Sequence, residues 1–343
     1  MTDFHVNVVR VGALTPHPDA DTLDLTKVFD YPVITKRGAF REGDLAVYVP
    51  VDAVVPDTEA WAFLHGRPVG SAPTSRRLVQ AKRLRGIFSQ GLLVPAPWGF
   101  HEGDDVAEFL GITKADDAEE RGGLSTGGEC EAAPQGWRFP TYTDLESLRR
   151  WPRVLEADDR VVITEKIHGA NARFCHDGER LWVGSRTQIK RYDPANLWWM
   201  AAEVEGLAEK LARLPGLVFF GEVFGQVQDL KYGITKGCAF RCFDVFDVRN
   251  GRYLDHEDAR EAAGDVGVAW VPELHRGRWG DVDPATFAEG DSFLATMNGA
   301  KHVREGFVVK PLRERWHERL GRVILKRHGE GYLLRKKKGG ESC

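Results

Sequence analysis

Short β-rich runs dominate the first 110 residues: His5–Val11, Leu23–Phe29, Leu45–Val49 and Gly91–Val94. Gly, Pro and Asp separate them, which is the punctuation of a small all-β barrel. Residues 111–136 are rich in Gly, Asp, Glu, Ala and Ser and show almost no apolar periodicity, so they read as a linker or mobile loop. From 137 to 343 the pattern mixes strands and helices. Arg160–Lys166 reads as a strand, and Asn171–Cys175 and Arg180–Gly184 flank His176-Asp177-Gly178-Glu179 as a hairpin. Pro194–Leu214 carries apolar residues at Leu197, Met200, Val204, Leu207 and Leu211, which predicts a helix with Pro194 in its first turn. Leu217–Glu222, Ala239–Val248, Glu305–Lys310 and Arg322–Lys326 read as strands, and Pro284–Met297 as a helix. The fold class expected is α+β, with a β-barrel first and antiparallel sheets with flanking helices second.

Composition narrows the class. The chain has 343 residues, 42 % of them hydrophobic, which suits about two globular domains. No run of about 18 apolar residues predicts a membrane span, and the start lacks a basic-then-apolar leader, so a cytoplasmic enzyme is expected. The five cysteines form no CxxC pair, which argues for reduced, mostly buried thiols rather than a zinc site. The net charge of −4 conceals asymmetry. Arg76–Arg85 holds five basic residues and no acid, and Arg313–Lys338 holds ten against three Glu. Such patches are what a phosphate backbone requires, and equally what a solvated face shows.

Chemistry concentrates in the second half. In Glu165-Lys166-Ile167-His168-Gly169-Ala170-Asn171 a lysine stands where a strand gives way to a glycine turn, able to face a cleft while backbone amides approach phosphates. Four more words follow: Ser185-Arg186; an acid, Glu222, inside the apolar run Phe219–Gly225; Phe243-Asp244-Val245-Phe246-Asp247; and Glu305–Lys310 followed by Val323–Lys326. An acid or lysine in an apolar strand is costly unless paired or functional. Several in one domain favour a site, although buried ion pairs leave the same trace.

In this order the words resemble the motif series of the covalent nucleotidyltransferases: DNA ligases, RNA ligases and mRNA capping enzymes. The resemblance spans roughly Phe139 to Arg335. His168, where DNA ligases have Asp, and Asn171 look like the RNA ligase 2 and RNA-editing-ligase branch. The last motif, usually Lys-x-Lys, reads Lys326-Arg327-His328, so the second lysine's role passes to His328, Arg327 or a lysine elsewhere. The extra domain comes first, as in the Deinococcus-type RNA ligases. Pro16-His17-Pro18-Asp19-Ala20-Asp21-Thr22-Leu23 and Leu84–Gly91 are similar to words of OB-type tRNA-binding domains, which implies an OB barrel for residues 1–110.

The resemblance implies an ATP-dependent RNA ligase acting on a nicked duplex with an RNA 3′-hydroxyl strand, with ATP and a divalent metal (Mg or Mn) as cofactors. Lys166 would take AMP. Glu165, Asn171, Arg186, Glu222, Phe243 and Lys310 would bind the nucleotide, with Phe243 on adenine, Glu165 at its amine and Glu222 at the ribose. Lys326 would neutralise the α-phosphate, Glu305 would place the metal through water, and His168 would act in the nucleic-acid steps. A free lysine, with a pKa of about 10.4, must lose its proton to react. The competing readings are a DNA ligase, a capping-type transferase, and a non-catalytic OB-type RNA-binding protein.

Overall fold

The computed structural model describes residues 4–115, 127–137 and 139–335. The described residues fall into two compact units: 4–115 with 148–152 and 333–335, and 127–147 with 153–332.

In the first unit, Asn7–Arg10, Leu45–Val49 and Leu92–Pro95 form one antiparallel sheet, and Thr15–Pro16, Leu23–Val28 and Tyr31–Lys36 another. Strand side chains alternate between faces. Val8, Val47 and Val49 therefore enter a core with Trp61, Val79 and Ile112, while Val9 and Tyr48 of the same strands join Val28 and Val33. Lys82–Leu84 and Ile87–Ser89 make a hairpin whose two turn residues, Arg85 and Gly86, both have positive φ, as a tight right-twisted hairpin demands. His17 is buried and ties the two resembling words together: its Nδ1 accepts from the Asp19 amide at 3.0 Å, and its Nε2 meets the Leu84 carbonyl at 3.1 Å.

The second unit holds a seven-stranded sheet, in the order Cys130–Glu131, Ile189–Lys190, Leu181–Ser185, Ala170–His176, Leu217–Gly225, Cys238–Asp247, Arg252–Tyr253. A five-stranded sheet runs Glu146–Ser147, Leu325–His328, Gly306–Pro311, Arg160–Glu165, Glu273–Arg278. One face of the larger sheet presents Phe174, Val183 and Phe219 to the helices Leu197–Val204 and His256–Asp265. Its other face presents Cys175, Trp182, Val218 and Phe220 to a cluster that Ile324 and Val308 of the smaller sheet's side complete. Burial on both faces explains the near-continuous apolar runs in the sequence. Each fully buried aromatic contributes on the order of 1.5–3 kcal/mol.

The expected helix Pro194–Leu214 is two helices, Leu197–Val204 and Leu207–Leu211, because Gly206 between them is left-handed. Pro284–Met297 is likewise divided, into Pro284–Ala288 and Phe293–Met297, each capped by a side chain, Asp283 and Ser292. Pairing enters the expected linker from both ends: Thr113–Lys114 pairs with Ala53–Val54, and Cys130–Glu131 with Ile189–Lys190. Residues 116–126, in the middle of that linker, lie outside the described residues, as does the basic tail 336–343.

Candidate active site

The chain leaves the smaller sheet at Glu165 and enters the larger at Ala170, so Lys166-Ile167-His168-Gly169 is the crossover between the two sheets. The crossover is tight. A Cβ on Gly169 would stand 2.2 Å from the Val223 carbonyl oxygen, so only glycine fits. Gly306 is constrained in the same way: its φ is +151° and an added Cβ would meet the Arg327 carbonyl oxygen at 2.0 Å. The Lys166 amide donates to the Gly306 carbonyl at 3.1 Å, which fixes the two crossing points to each other.

At this junction the Lys166 Nζ lies 2.8 Å from Glu305 Oε1. His168 Nδ1 lies 4.0 Å from Glu305 Oε2, and His328 Nε2 lies 3.5 Å from Oε1. Burial pushes the Glu305 carboxyl up, but Lys166, the His328 hydrogen bond and His168 together hold it well below the usual carboxylate range. Desolvation holds His328 below the ordinary imidazole value, against the pull of Glu305 and with the help of the Lys166 and Lys326 charges. Glu305 Oε2 is buried and makes no hydrogen bond among the described residues. An orphaned carboxylate oxygen beside a lysine suits a cation or a water bound to one.

His168 is held from three sides. Its Nε2 meets Asp229 Oδ1 at 2.8 Å, its Nδ1 meets the Tyr332 hydroxyl at 3.1 Å, and its amide donates to the Tyr232 hydroxyl at 2.6 Å. Asp229, Tyr232 and Tyr332 were not legible as partners. An acid in a turn is ordinary, and only the fold brings it to the histidine. His328, one of three candidates for the missing lysine's role, is the one that stands against Glu305.

The remaining expected residues are placed as follows. Asn171 and Glu222 are cross-strand partners, and the Asn171 Oδ1 has no partner among the described residues. Glu165 is buried; its Oε2 accepts from the Leu294 amide at 2.9 Å and its Oε1 is left without a hydrogen-bond partner. Burial pushes its carboxyl up, against the Ser292 hydroxyl and the Leu294 amide. Phe243 is half-buried at the register shift between Phe220 and Gly221, packed 4.9 Å from the Tyr142 ring. Lys326 lies opposite Val308. Arg186 pairs with Asp144.

Lys310 departs from the expectation. It is buried, with Nζ 2.9 Å from Asp244 Oδ1 and 3.5 Å from Glu314 Oε1. Asp244 also takes Arg322 at 2.6 Å and the Tyr142 hydroxyl at 2.9 Å. Burial raises the Asp244 carboxyl, but Arg322 and Lys310 outweigh it and keep it below the usual range. The lysine thus belongs to a closed ion network instead of the Lys166 group. The strand pattern could not separate the two cases, since both put a lysine beside apolar residues. Among the described residues no group of three or more His, Cys, Asp or Glu forms a metal cage, and no helix is long and apolar enough to cross a membrane.

Comparison with known proteins adds the following. Residues 159–328 match the family model described as RNA ligase, and residues 5–96 match an OB-fold domain model, so the barrel is of the OB type. Naegleria gruberi RNA ligase is similar over nearly its whole length. A glutamate variant with ATP and Mn has a TM-score of 0.79 and 25% identity, covering 96% of this chain and 98% of that one. The same ligase with PPi gives 0.78 and 25%, covering 96% and 97%. A variant with AMP and Mn gives 0.80 and 24%, covering 96% and 97%. No curated protein matches the chain.

Proposed function

We propose, from the match of residues 159–328 to the RNA ligase family model, that the chain is an ATP-dependent RNA ligase that carries AMP on Lys166 and seals 3′-hydroxyl/5′-phosphate nicks. The observation that supports this most is the placement of Lys166: at a sheet-to-sheet crossover, partly exposed, with its Nζ 2.8 Å from a buried glutamate that keeps one oxygen without a hydrogen bond. The barrel-first order resembles the Deinococcus-type ligases.

Three in-line transfers follow from that reading. Lys166 Nζ, having lost its proton, bonds to the α-phosphorus of ATP as the bond to the bridging oxygen breaks and pyrophosphate leaves. An oxygen of the 5′-phosphate end then bonds to that phosphorus, and the Nζ–P bond breaks. Last, the 3′-oxygen bonds to the 5′-phosphorus and AMP leaves. Positioning and charge neutralisation supply most of the catalysis in such transfers.

The chain's own groups suit these tasks. Phe243, backed by Tyr142, offers a ring for the adenine. The unpartnered Glu165 Oε1 is an acceptor for its exocyclic amine, and Glu222 beside Asn171 is an acceptor for ribose hydroxyls. Arg186, now on Asp144, is available to phosphate on exchange of partners, and Lys326 adds positive charge near His328. The Lys166 Nζ rests in an ion pair with Glu305. A divalent cation (Mg or Mn) held through Glu305 would loosen that grip and neutralise phosphate charge. His168, fixed by Asp229 and Tyr332, is assigned to the nucleic-acid steps.

The test is sealing of a nicked DNA duplex carrying one or two ribonucleotides at the 3′-hydroxyl, against an all-DNA nick. A site that hydrogen-bonds a hydroxyl discriminates strongly against its absence. The ribonucleotide-ended nick should be sealed far faster. Equal rates would remove the RNA assignment and favour a DNA ligase.

A further inference from the structure

A cavity of about 520 Å³ opens in the second unit, lined among others by Asp229, Lys231, Ile234, Thr235, Lys301 and His302. Its wall is the turn between the strands Leu217–Gly225 and Cys238–Asp247. That turn is fixed. Gln226 Nε2 donates to the Ile234 carbonyl at 2.6 Å, and Asn298 Nδ2 to the Tyr232 carbonyl at 2.7 Å. Tyr232 is held at φ 49°, and Gly233 at φ +79° has no room for a side chain, since its Cβ would lie 2.8 Å from the Asn298 carbonyl oxygen. The cavity is therefore formed before any ligand arrives.

Two of its lining residues reach the reaction centre. Asp229 holds the His168 ring and Tyr232 holds the His168 amide, two positions from Lys166. None of Glu165, Asn171, Glu222 and Phe243 lines it, so it is a space apart from the one assigned to ATP. The volume suits one nucleotide-sized ligand. The chemistry is matched as well: Leu230, Ile234 and Ala300 offer apolar surface for a base, Lys231 and Lys301 offer charge for phosphates, and Thr235 and Asp229 offer partners for sugar hydroxyls.

We propose that this cavity holds the terminal nucleotide of the 3′-hydroxyl strand. The proposal rests on the ligase reading and gives it a second subsite. Asp229, shared between the cavity wall and His168, links occupation of the subsite to the position of the imidazole. The ribose requirement of the sealing step is then a property of this turn.

The experiment uses the full chain and two variants, Thr235→Trp to fill the cavity from its exposed rim and Lys231→Ala to remove a phosphate partner. Transfer of label from α-labelled ATP to protein is read alongside sealing of a nick that already carries AMP on its 5′ end. Both variants should label like the wild type. Thr235→Trp should slow sealing by about tenfold or more, and Lys231→Ala should raise the KM for the nick severalfold. The advantage of a ribose over a deoxyribose 3′ end should shrink in Thr235→Trp. Sealing equal to wild type in both variants would overturn the proposal. So would labelling that falls in step with sealing, since the cavity would then serve ATP. Failure of the wild type to label would instead remove the ligase reading itself, and is read in a separate lane.

Discussion

Two lysine–carboxylate pairs in the second unit have nearly the same length: 2.8 Å for Lys166–Glu305 and 2.9 Å for Lys310–Asp244. Their surroundings set them apart. Both Asp244 oxygens are engaged, one by Lys310 and the other by Arg322 and Tyr142, and the Lys310 side chain is 6% exposed. Glu305 keeps an oxygen without a hydrogen bond, and the Lys166 side chain is 22% exposed. Asp244 has no oxygen left to offer a ligand. The Lys166–Glu305 pair has an accessible nucleophile and an acceptor that makes no hydrogen bond. Buried ion pairs are weak evidence of either stability or function by themselves. Here it is the completeness of the partner set that separates the two.

The largest effect that can break this comparison is on chemistry. Lys166→Ala should reduce protein-bound AMP by more than about a thousandfold, since the nucleophile itself is removed. It should cost less stability than Lys310→Ala, because His168 and His328 still face Glu305. Labelling of the folded Lys166→Ala protein would place the AMP elsewhere.

Lys310→Ala reads the other side. Removing one partner from a buried pair costs about 3–5 kcal/mol, and Arg322 on Asp244 keeps the loss near the lower end. Urea unfolding should show it, while labelling per folded molecule stays within severalfold of wild type. Unchanged stability with lost labelling would return Lys310 to the nucleotide site.

Gly169→Ala should act on both. The new Cβ overlaps the Val223 carbonyl oxygen at 2.2 Å, so the crossover must shift. A loss of about 1–3 kcal/mol is expected, with labelling slowed through displacement of Lys166. Wild-type stability and labelling would show that the crossover is looser than the contact implies.

The smallest effect is in pH. The carboxyls of Glu305 and Asp244 are depressed in the fold, so they support it above their unfolded values of about 4.3 and 3.9 and cease to as pH falls through the folded ones. His328 is depressed too, with the same sign at a higher pH. Below about 6.5 the unfolded imidazole takes a proton that the native one refuses, so stability declines with falling pH until the folded value is passed. His256 adds the same sign. His328→Gln should flatten the urea midpoint between pH 7 and 5 without removing the acid loss. An identical slope in the variant would deny His328 its buried, neutral state.

The alternation of short apolar runs was enough to find most strands of four or more residues, because each packs a face against a core. Leu45–Val49 is an example in the barrel. The strands Tyr31–Lys36 and Glu273–Arg278 escaped, the first interrupted by Pro32 and the second polar along its length. Lys166, Glu305 and His168 were legible because their words lie at strand ends. Asp229 and Tyr332 were not, since they stand 61 and 164 residues from His168 and carry no local signature. The pairing of Lys310 with Asp244 and Glu314 was not legible, because an isolated strand does not reveal which acids its lysine will meet.

The most direct measurement is to incubate the protein with ATP and Mg or Mn, digest it, and locate the AMP by mass. The expected result is one adduct per chain, on Lys166, with Lys310 unmodified. An adduct on any other residue, or none at all on a protein that still seals nicks, would contradict the assignment.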